Sequence, residues 1–413
     1  MQRYSQIALY LFLISIISGW LDSSQIKAQN EVGNRECLET FETFAYASYP
    51  QNPRVIEPSS HSSWYKVASL PSQINQDFPI FNQVRVTRMT DDSEEVWITG
   101  NGVGFAVYDV NHQEWKLIPR TVFSTDYVVG QLFVANDGAI WGQNIPTGQH
   151  VNPEFQEIPL LSRFNETTTR FEIPADTMHG SVLPQRASSI PQFAGSTIPH
   201  ILVDNDGLFW LIVSNDGIYK FDPVLETYER QSGLDFSVSQ AALSTDGSLY
   251  LWSPNTQIPP SASFRERLTL PSDSIWHFSL EARSFALIDL PDRDWPIFNG
   301  MLVAQSGQLW LGAIGFRDLD HTWHLIHPNI DEYLDNAGNY KWGPPRLITE
   351  SSDGRLWYVR DTDGAGEGTA WYDPQLGEGC LIMHHAANIV EDANQQLWMV
   401  ANGHLYRHSL NSQ

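Results

Sequence analysis

One short phrase recurs seven times along this chain, and no other feature constrains the fold as strongly. It starts with a small or acidic residue, usually followed by Gly. Any residue comes next, then an apolar residue and an aromatic. The copies are Ser93–Trp97 (SEEVW), Asp137–Trp141 (DGAIW), Asp206–Trp210 (DGLFW), Asp246–Tyr250 (DGSLY), Ser306–Trp310 (SGQLW), Asp353–Trp357 (DGRLW) and Asn394–Trp398 (NQQLW). Successive aromatics lie from 40 residues apart (Trp210 to Tyr250) to 69 apart (Trp141 to Trp210). A repeat near forty residues made of short strands and tight turns marks a β-propeller, one four-stranded blade per repeat. The chain is therefore predicted to be all-β, a seven-bladed β-propeller. An aromatic at one fixed place in every blade reads as packing between sheets, not as a binding feature.

The third repeat shows the plan of a blade. Ile198–Val203 (IPHILV) is short and apolar, as an inner strand should be. Asp204-Asn205-Asp206-Gly207 reads as a tight turn, with Gly supplying a positive φ. Leu208–Val213 and Ile218–Phe221 follow as strands, and Thr227–Gln231 is a more polar outer strand after the turn at Asp222-Pro223. Outer strands recur at Trp115–Pro119, Thr169–Pro174, Ser284–Pro291 and Trp323–Pro328. An unpaired outer edge tolerates their terminal Pro. The last repeat stops after a third strand, Gly403–His408 (GHLYRH). Residues 64–71 (WYKVASLP) look like the outer strand WKLIP, so they are expected to complete the seventh blade and close the ring.

Three segments follow from this. Residues 1–28 have Arg3 at the start, a mostly apolar run from Ile7 to Leu21, and Ile26-Lys27-Ala28 before Gln29. That is the pattern of a secretory signal peptide. The rival is an uncleaved anchor, but the run is short of the roughly 20 residues that span a bilayer. Residues 29–62 form an N-terminal lead, and 63–413 the single propeller domain. An exported chain of this kind is expected in the periplasm or outside the cell, as a monomer with no integral membrane domain.

The chain holds 48 acidic and 24 basic residues, a formal net charge of −24. Such a surface repels nucleic acid. It suits solubility, or a taste for cations and basic partners. The two cysteines, Cys37 and Cys380, suggest one disulfide in an exported protein. Cys380 falls in the outer strand of the sixth repeat and Cys37 in the lead to the seventh blade, so a bridge would tie that seam. Closing so long a loop is worth on the order of 5 kcal/mol in the chain-entropy account. No CxxC or Cys/His cluster points to structural zinc.

The segments DGLFWLIVSNDGIYKFDPVLETYER (206–230) and DGRLWYVRDTDGAGEGTAWYDP (353–374) resemble the two-component-regulator propeller repeat. The likeness is close in units three and six and holds in outline elsewhere. It implies an extracytoplasmic sensor or ligand-binding module, of a family that often precedes a membrane span and a histidine kinase. Neither follows the repeats before Gln413, so direct signalling is not expected. A weaker resemblance is to streptogramin (virginiamycin B) lyases, from which no catalytic residue carries over.

In a propeller, the connections between blades and between second and third strands share one face. Here that face receives the long segments Gly142–Pro159, Ala175–Thr197, Ser253–Asp273, Pro291–Pro296, Asn329–Pro344 and Asp361–Gly368. Long loops on a rigid scaffold commonly carry binding, and tolerated insertion is the plain alternative. Within them Asp292, Asp294 and Trp295 combine carboxylates with an aromatic, as do Asp331 and Glu332 with Tyr333, Tyr340 and Trp342. His384 and His385 stand at the entry to the seventh inner strand. Carboxylates beside Trp and Tyr suit sugars or cationic ligands. Asp292 with Asp294 could form a carboxylate pair and a histidine could act as a general base, but nothing in the spacing shows convergence. Asp361–Glu367 (DTDGAGE) has the look of a calcium loop, yet lacks an oxygen side chain at its fifth position and has Tyr372 where a bidentate Glu belongs. No cofactor is expected. The leading expectation is a non-enzymatic propeller that binds a small ligand, glycan or protein partner on its long-loop face. A lyase or hydrolase at the channel mouth is the alternative, and a structural surface protein the second.

Overall fold

The computed structural model describes residues 39–40, 64–71, 83–90, 92–100, 104–119, 127–146, 161–172, 200–253, 274–290, 300–313, 315–326, 345–360, 368–384, 386–401 and 403–410. These form seven small antiparallel sheets. Blades one to six run through residues 83–119, 127–172, 200–233, 240–288, 301–325 and 346–384. Blade seven joins Ala386–Glu391, Gln396–Ala401 and His404–Ser409 to the N-terminal strand Trp64–Ser69. That strand pairs antiparallel with His404–Ser409, Trp64 opposite His408 and Ser69 opposite His404. The ring is closed as expected, by residues from both ends of the chain.

Packing closes the ring as well. Seven apolar clusters each belong to two neighbouring blades, one for every seam. The repeated aromatic sits in the cluster shared with the following blade. Trp97 packs with Phe164 and Phe171 of blade two, Trp210 with Leu249 and Leu251 of blade four, and Trp398 with Val84 and Val96 of blade one. Six of the seven, Trp97, Trp141, Trp210, Trp310, Trp357 and Trp398, are fully buried. Tyr250 of blade four is only partly buried.

The turns explain why the phrase recurs. In blade three, Asp204 Oδ1 accepts the N–H groups of Asp206 (3.0 Å) and Leu208 (2.9 Å), and its Oδ2 accepts the indole N–H of Trp210 (3.0 Å). Gly207 takes φ 73°, which L-residues resist. One carboxylate thus shapes the turn and anchors the aromatic. Asp392 does the same in blade seven, accepting Asn394 N and Gln396 N and, at 2.6 Å, Trp398 Nε1. There Gln395 carries the positive φ, 58°, that Gly holds elsewhere.

Two details differ from the sequence reading. Blade six has five strands, because Glu39–Thr40 pairs with its outer strand Glu378–His384, Thr40 opposite Cys380. The lead therefore meets blade six before it closes blade seven. A two-residue strand carries no periodicity from which to read it. In addition, residues 142–146 belong to the second strand of blade two, Ile140–Pro146, and not to a loop. Gly142 is required there because Val129 and Phe171 pack against its α-carbon.

Candidate functional site

First strands of neighbouring blades touch one another, so they line the axis of the ring. Each enters from the face that carries the connections between blades and leaves at the tight turn. Four of them are irregular near their start, and the four are consecutive around the ring. Blade six bulges between Leu347 and Thr349, blade seven between Ala386 and Ile389, blade one between Val84 and Val86, and blade two between Val129 and Leu132. A bulge inserts an unpaired residue and re-aims its side chain, and such features gather beside functional sites. The register passes over Ile348 in blade six, Ala387 and Asn388 in blade seven, Arg85 in blade one, and Gly130 and Gln131 in blade two. In blades three, four and five the first strand pairs without a break.

The bulges of blades seven and one are joined by a hydrogen bond. Asn388 Nδ2 donates to the Val84 carbonyl at 3.0 Å, fixing the backbone beside Arg85 across the seam between the last and first blades. Arg85 is partly buried, and its Nε donates to Thr99 Oγ1 at 3.3 Å. Burial pushes its guanidinium below the ordinary value, and the positive charge of Arg346 pushes it the same way. Arg346 begins the first strand of blade six. Arg85 likewise lies early in the first strand of blade one, so chain order puts both cations on the mouth side. Beside them the entry to blade five is tight. Gly300 has φ 95°, and a Cβ there would lie 2.5 Å from the Leu347 carbonyl oxygen. Further round, burial pushes the His200 imidazole down, against a hydrogen bond to the Val238 backbone.

The opposite pole is acidic and committed. Glu350 Oε2 accepts Gln305 N of blade five at 2.5 Å, and Glu391 Oε2 accepts Ser352 N of blade six at 2.7 Å. At the seam of blades seven and one the buried Glu94 carboxyl faces Asp392. Burial, then the hydrogen bond and charge of Asp392, push Glu94 up to about 8, against Arg407 and Trp398. These carboxylates staple turns of adjacent blades together.

The residues expected to bind ligand fall on the mouth side in chain order. Asp292, Asp294 and Trp295 lie between the outer strand of blade four, ending at Ile288, and the inner strand of blade five, starting at Met301. Tyr340 and Trp342 lie between Leu325 of blade five and Arg346 of blade six. All five fall outside the described residues, as do His385, Cys37 and the 361–367 segment. His384 is the last residue of blade six's outer strand, opposite Gly368, one residue before the link to blade seven. Among the described residues no group of three His, Cys, Asp or Glu is placed to hold a metal ion. Also among them, no helix is long and apolar enough to cross a membrane. Sequence reasoning missed Arg85, Gln131, Arg346 and Asn388. Arg85 sits in an alternating strand, QVRVTRM, where nothing announces an inserted residue.

Fold and seams define the class, a seven-bladed β-propeller with a bulged channel mouth. No family model matches the chain, and no curated protein matches it. Among solved structures it is similar to the extracellular domain of a hybrid two-component system from B. thetaiotaomicron. That match has 14% identity and a TM-score of 0.45, and covers 79% of this chain and 40% of that one. The chain thus spans well under half of that neighbour. It is also similar to YCF48 bound to D1 peptide, at 13% identity and TM-score 0.49, covering 88% of this chain and 100% of that one. A third is YCF48 from Cyanidioschyzon merolae, at 11% identity and TM-score 0.47, covering 84% and 99%.

Proposed function

We propose that this protein is an exported, sensor-like binding propeller that captures its ligand or partner at the channel mouth, on the face carrying the connections between blades. One observation carries the reading: four consecutive inner strands bulge at that mouth, while the opposite pole is taken up by tight turns. The expected loop residues Asp292, Asp294, Trp295, Tyr340, Trp342, His384 and His385 enter on the same side.

Export is part of the proposal, as is a Cys37–Cys380 disulfide. Cys380 is fully buried, and Thr40, three residues after Cys37, lies opposite it.

The test is a screen of the mature chain against defined saccharides, amino acids, dicarboxylates and short peptides by thermal shift, followed by hydrogen exchange with any hit. Protection should appear in the first halves of the inner strands of blades six, seven, one and two. Trp295→Ala and Trp342→Ala should weaken binding by roughly thirtyfold, the loss typical of an aromatic anchor. Protection confined to the turns around Asp206 and Asp353 would mean that the wrong face has been chosen.

A further inference from the structure

Each blade ends in an outer strand, and the far edge of such a strand carries unpaired backbone N–H and C=O groups. Folded proteins guard these edges with charged side chains or cover them. This chain does both. Charged residues stand in the outer strands Glu114–Pro119 (Lys116), Arg170–Glu172, Thr227–Gly233 (Glu229, Arg230) and Trp64–Ser69 (Lys66), and His324 stands in Trp323–Leu325. The edge of blade six is covered by Glu39–Thr40, so a blade of this ring accepts a fifth strand there. Ser284–Ile288 of blade four is different. It has no titratable side chain, and no strand pairs with its far edge among the described residues. Its Leu287 is 54% exposed, more than any other large apolar residue in a described outer strand.

The open edge borders an apolar shelf. Leu287 lies opposite Trp276, and Phe285 opposite Phe278. The partly buried Trp276 stacks on Phe236 at 5.3 Å, and Phe285 meets the same ring edge-on at 5.9 Å. These three aromatics carry the packed seam of blades three and four out to the edge. Trp323 of blade five pins the end of the strand, its indole N–H donating to the Asp289 carbonyl at 2.9 Å. Exposed carboxylates flank the strand at Glu281 and Asp289. Arg283 beside it is already committed to Glu229 of blade three, at 3.3 Å.

We infer that the outer edge of blade four is a docking surface that takes an extended segment of a partner protein as a fifth strand. The segment has apolar residues at alternate positions and basic residues at its ends. The open ladder supplies affinity, and the shelf selects the alternate side chains. Glu281 and Asp289, on a chain of net charge −24, select the basic ends. The same acids oppose a second copy of this chain, whose edge would bring like charges together.

The test uses the full mature chain and three labelled peptides: KTVTVTVK, the same peptide N-methylated throughout, and ETVTVTVE. Methylation keeps the side chains but removes every ladder donor. KTVTVTVK should bind by fluorescence anisotropy and protect the amides of Phe285–Ile288 from hydrogen exchange, and the other two should bind far more weakly. Leu287→Lys should weaken binding by about tenfold or more, the loss expected for one leucine contact. It should melt with the native chain, because the side chain is exposed. Leu325→Lys, the same change on the outer strand of blade five, should leave binding unchanged. No binding of KTVTVTVK, equal binding of either control peptide, or equal losses in the two variants overturn the inference. Protection confined to the inner-strand starts overturns it too, while leaving the mouth as the binding site. Protection of Phe285–Ile288 without peptide, growing with protein concentration, would put a second copy on the edge and overturn the partner assigned here.

Discussion

The indole N–H groups of the repeated tryptophans show how one residue six places earlier shapes each blade. Asp204, Ser351 and Asp392 stand six residues before Trp210, Trp357 and Trp398, and each accepts the indole hydrogen. In blades two and five that place holds Ala135 and Ala304, and the buried Nε1 atoms of Trp141 and Trp310 have no hydrogen-bond partner among the described residues. A buried donor without an acceptor costs about 1–3 kcal/mol. Ala304→Ser should therefore raise stability by about 1 kcal/mol, read as a later denaturant midpoint with an unchanged slope. In the opposite sense, Asp204→Ala removes three accepted hydrogen bonds and should cost about 2 kcal/mol or more. Trp210→Ala opens the seam between blades three and four and should cost about 3–5 kcal/mol. Equal stability of Asp204→Ala and the native chain would show that the turn, not the carboxylate, holds the indole.

Among the blade elements, second and third strands were plain in the sequence, because the turns on either side carry Gly and Asp at fixed offsets. Asp222, for instance, caps its turn by accepting Val224 N and Leu225 N, both at 2.9 Å, and the Asp-Pro pair there is visible in the letters. The closing strand was legible for a similar reason: Trp64–Ser69 copies the pattern of other outer strands. The bulges were not. Whether Arg85 or Ile348 is paired depends on the neighbouring blade, and one extra residue in a strand leaves the apolar alternation nearly intact. Nor was the edge strand Glu39–Thr40, which exists only because blade six offers an open side to the lead. Its pairing makes the disulfide a sharp prediction. Peptide mapping of non-reduced protein should recover Cys37 joined to Cys380, and two alkylatable thiols would refute it. Reduction should loosen the lead first, since its two described residues otherwise hold to blade six by a short ladder alone.

For the molecule as a whole, acid and base titrate different ends of its stability. In the unfolded chain Glu94 ionises near its ordinary value of 4.5, whereas in the ring it keeps its proton to about 8. Between those values the folded state holds a proton that the unfolded state has lost, so raising the pH through the window removes stability. Asp109 works in the other direction. Its burial is outweighed by hydrogen bonds from Ser93, the His112 backbone and the His112 ring, which hold it at about 2, and stability is lost as pH falls below 3.8 toward that value. The melting temperature should therefore be highest in mildly acidic solution. Glu94→Gln, which cannot ionise, should flatten the decline toward pH 8; a decline of unchanged steepness would remove Glu94 as its source. That carboxyl lies at the seam between blades seven and one, and blade seven itself is completed by a strand from far away. Lys66 Nζ and His404 Nε2, 3.0 Å apart, are separated by 338 positions. During synthesis, Trp64–Ser69 emerges early and waits while the rest of the chain is made. Throughout that interval another copy's unfinished seventh blade presents the same open edge, with the same register and the same apolar pocket for Trp64. Two nascent chains that trade this strand satisfy all of its pairing in an exchanged dimer. Refolding at high protein concentration should therefore yield an exchanged dimer that refolding at high dilution does not, and size-exclusion chromatography tells the two apart.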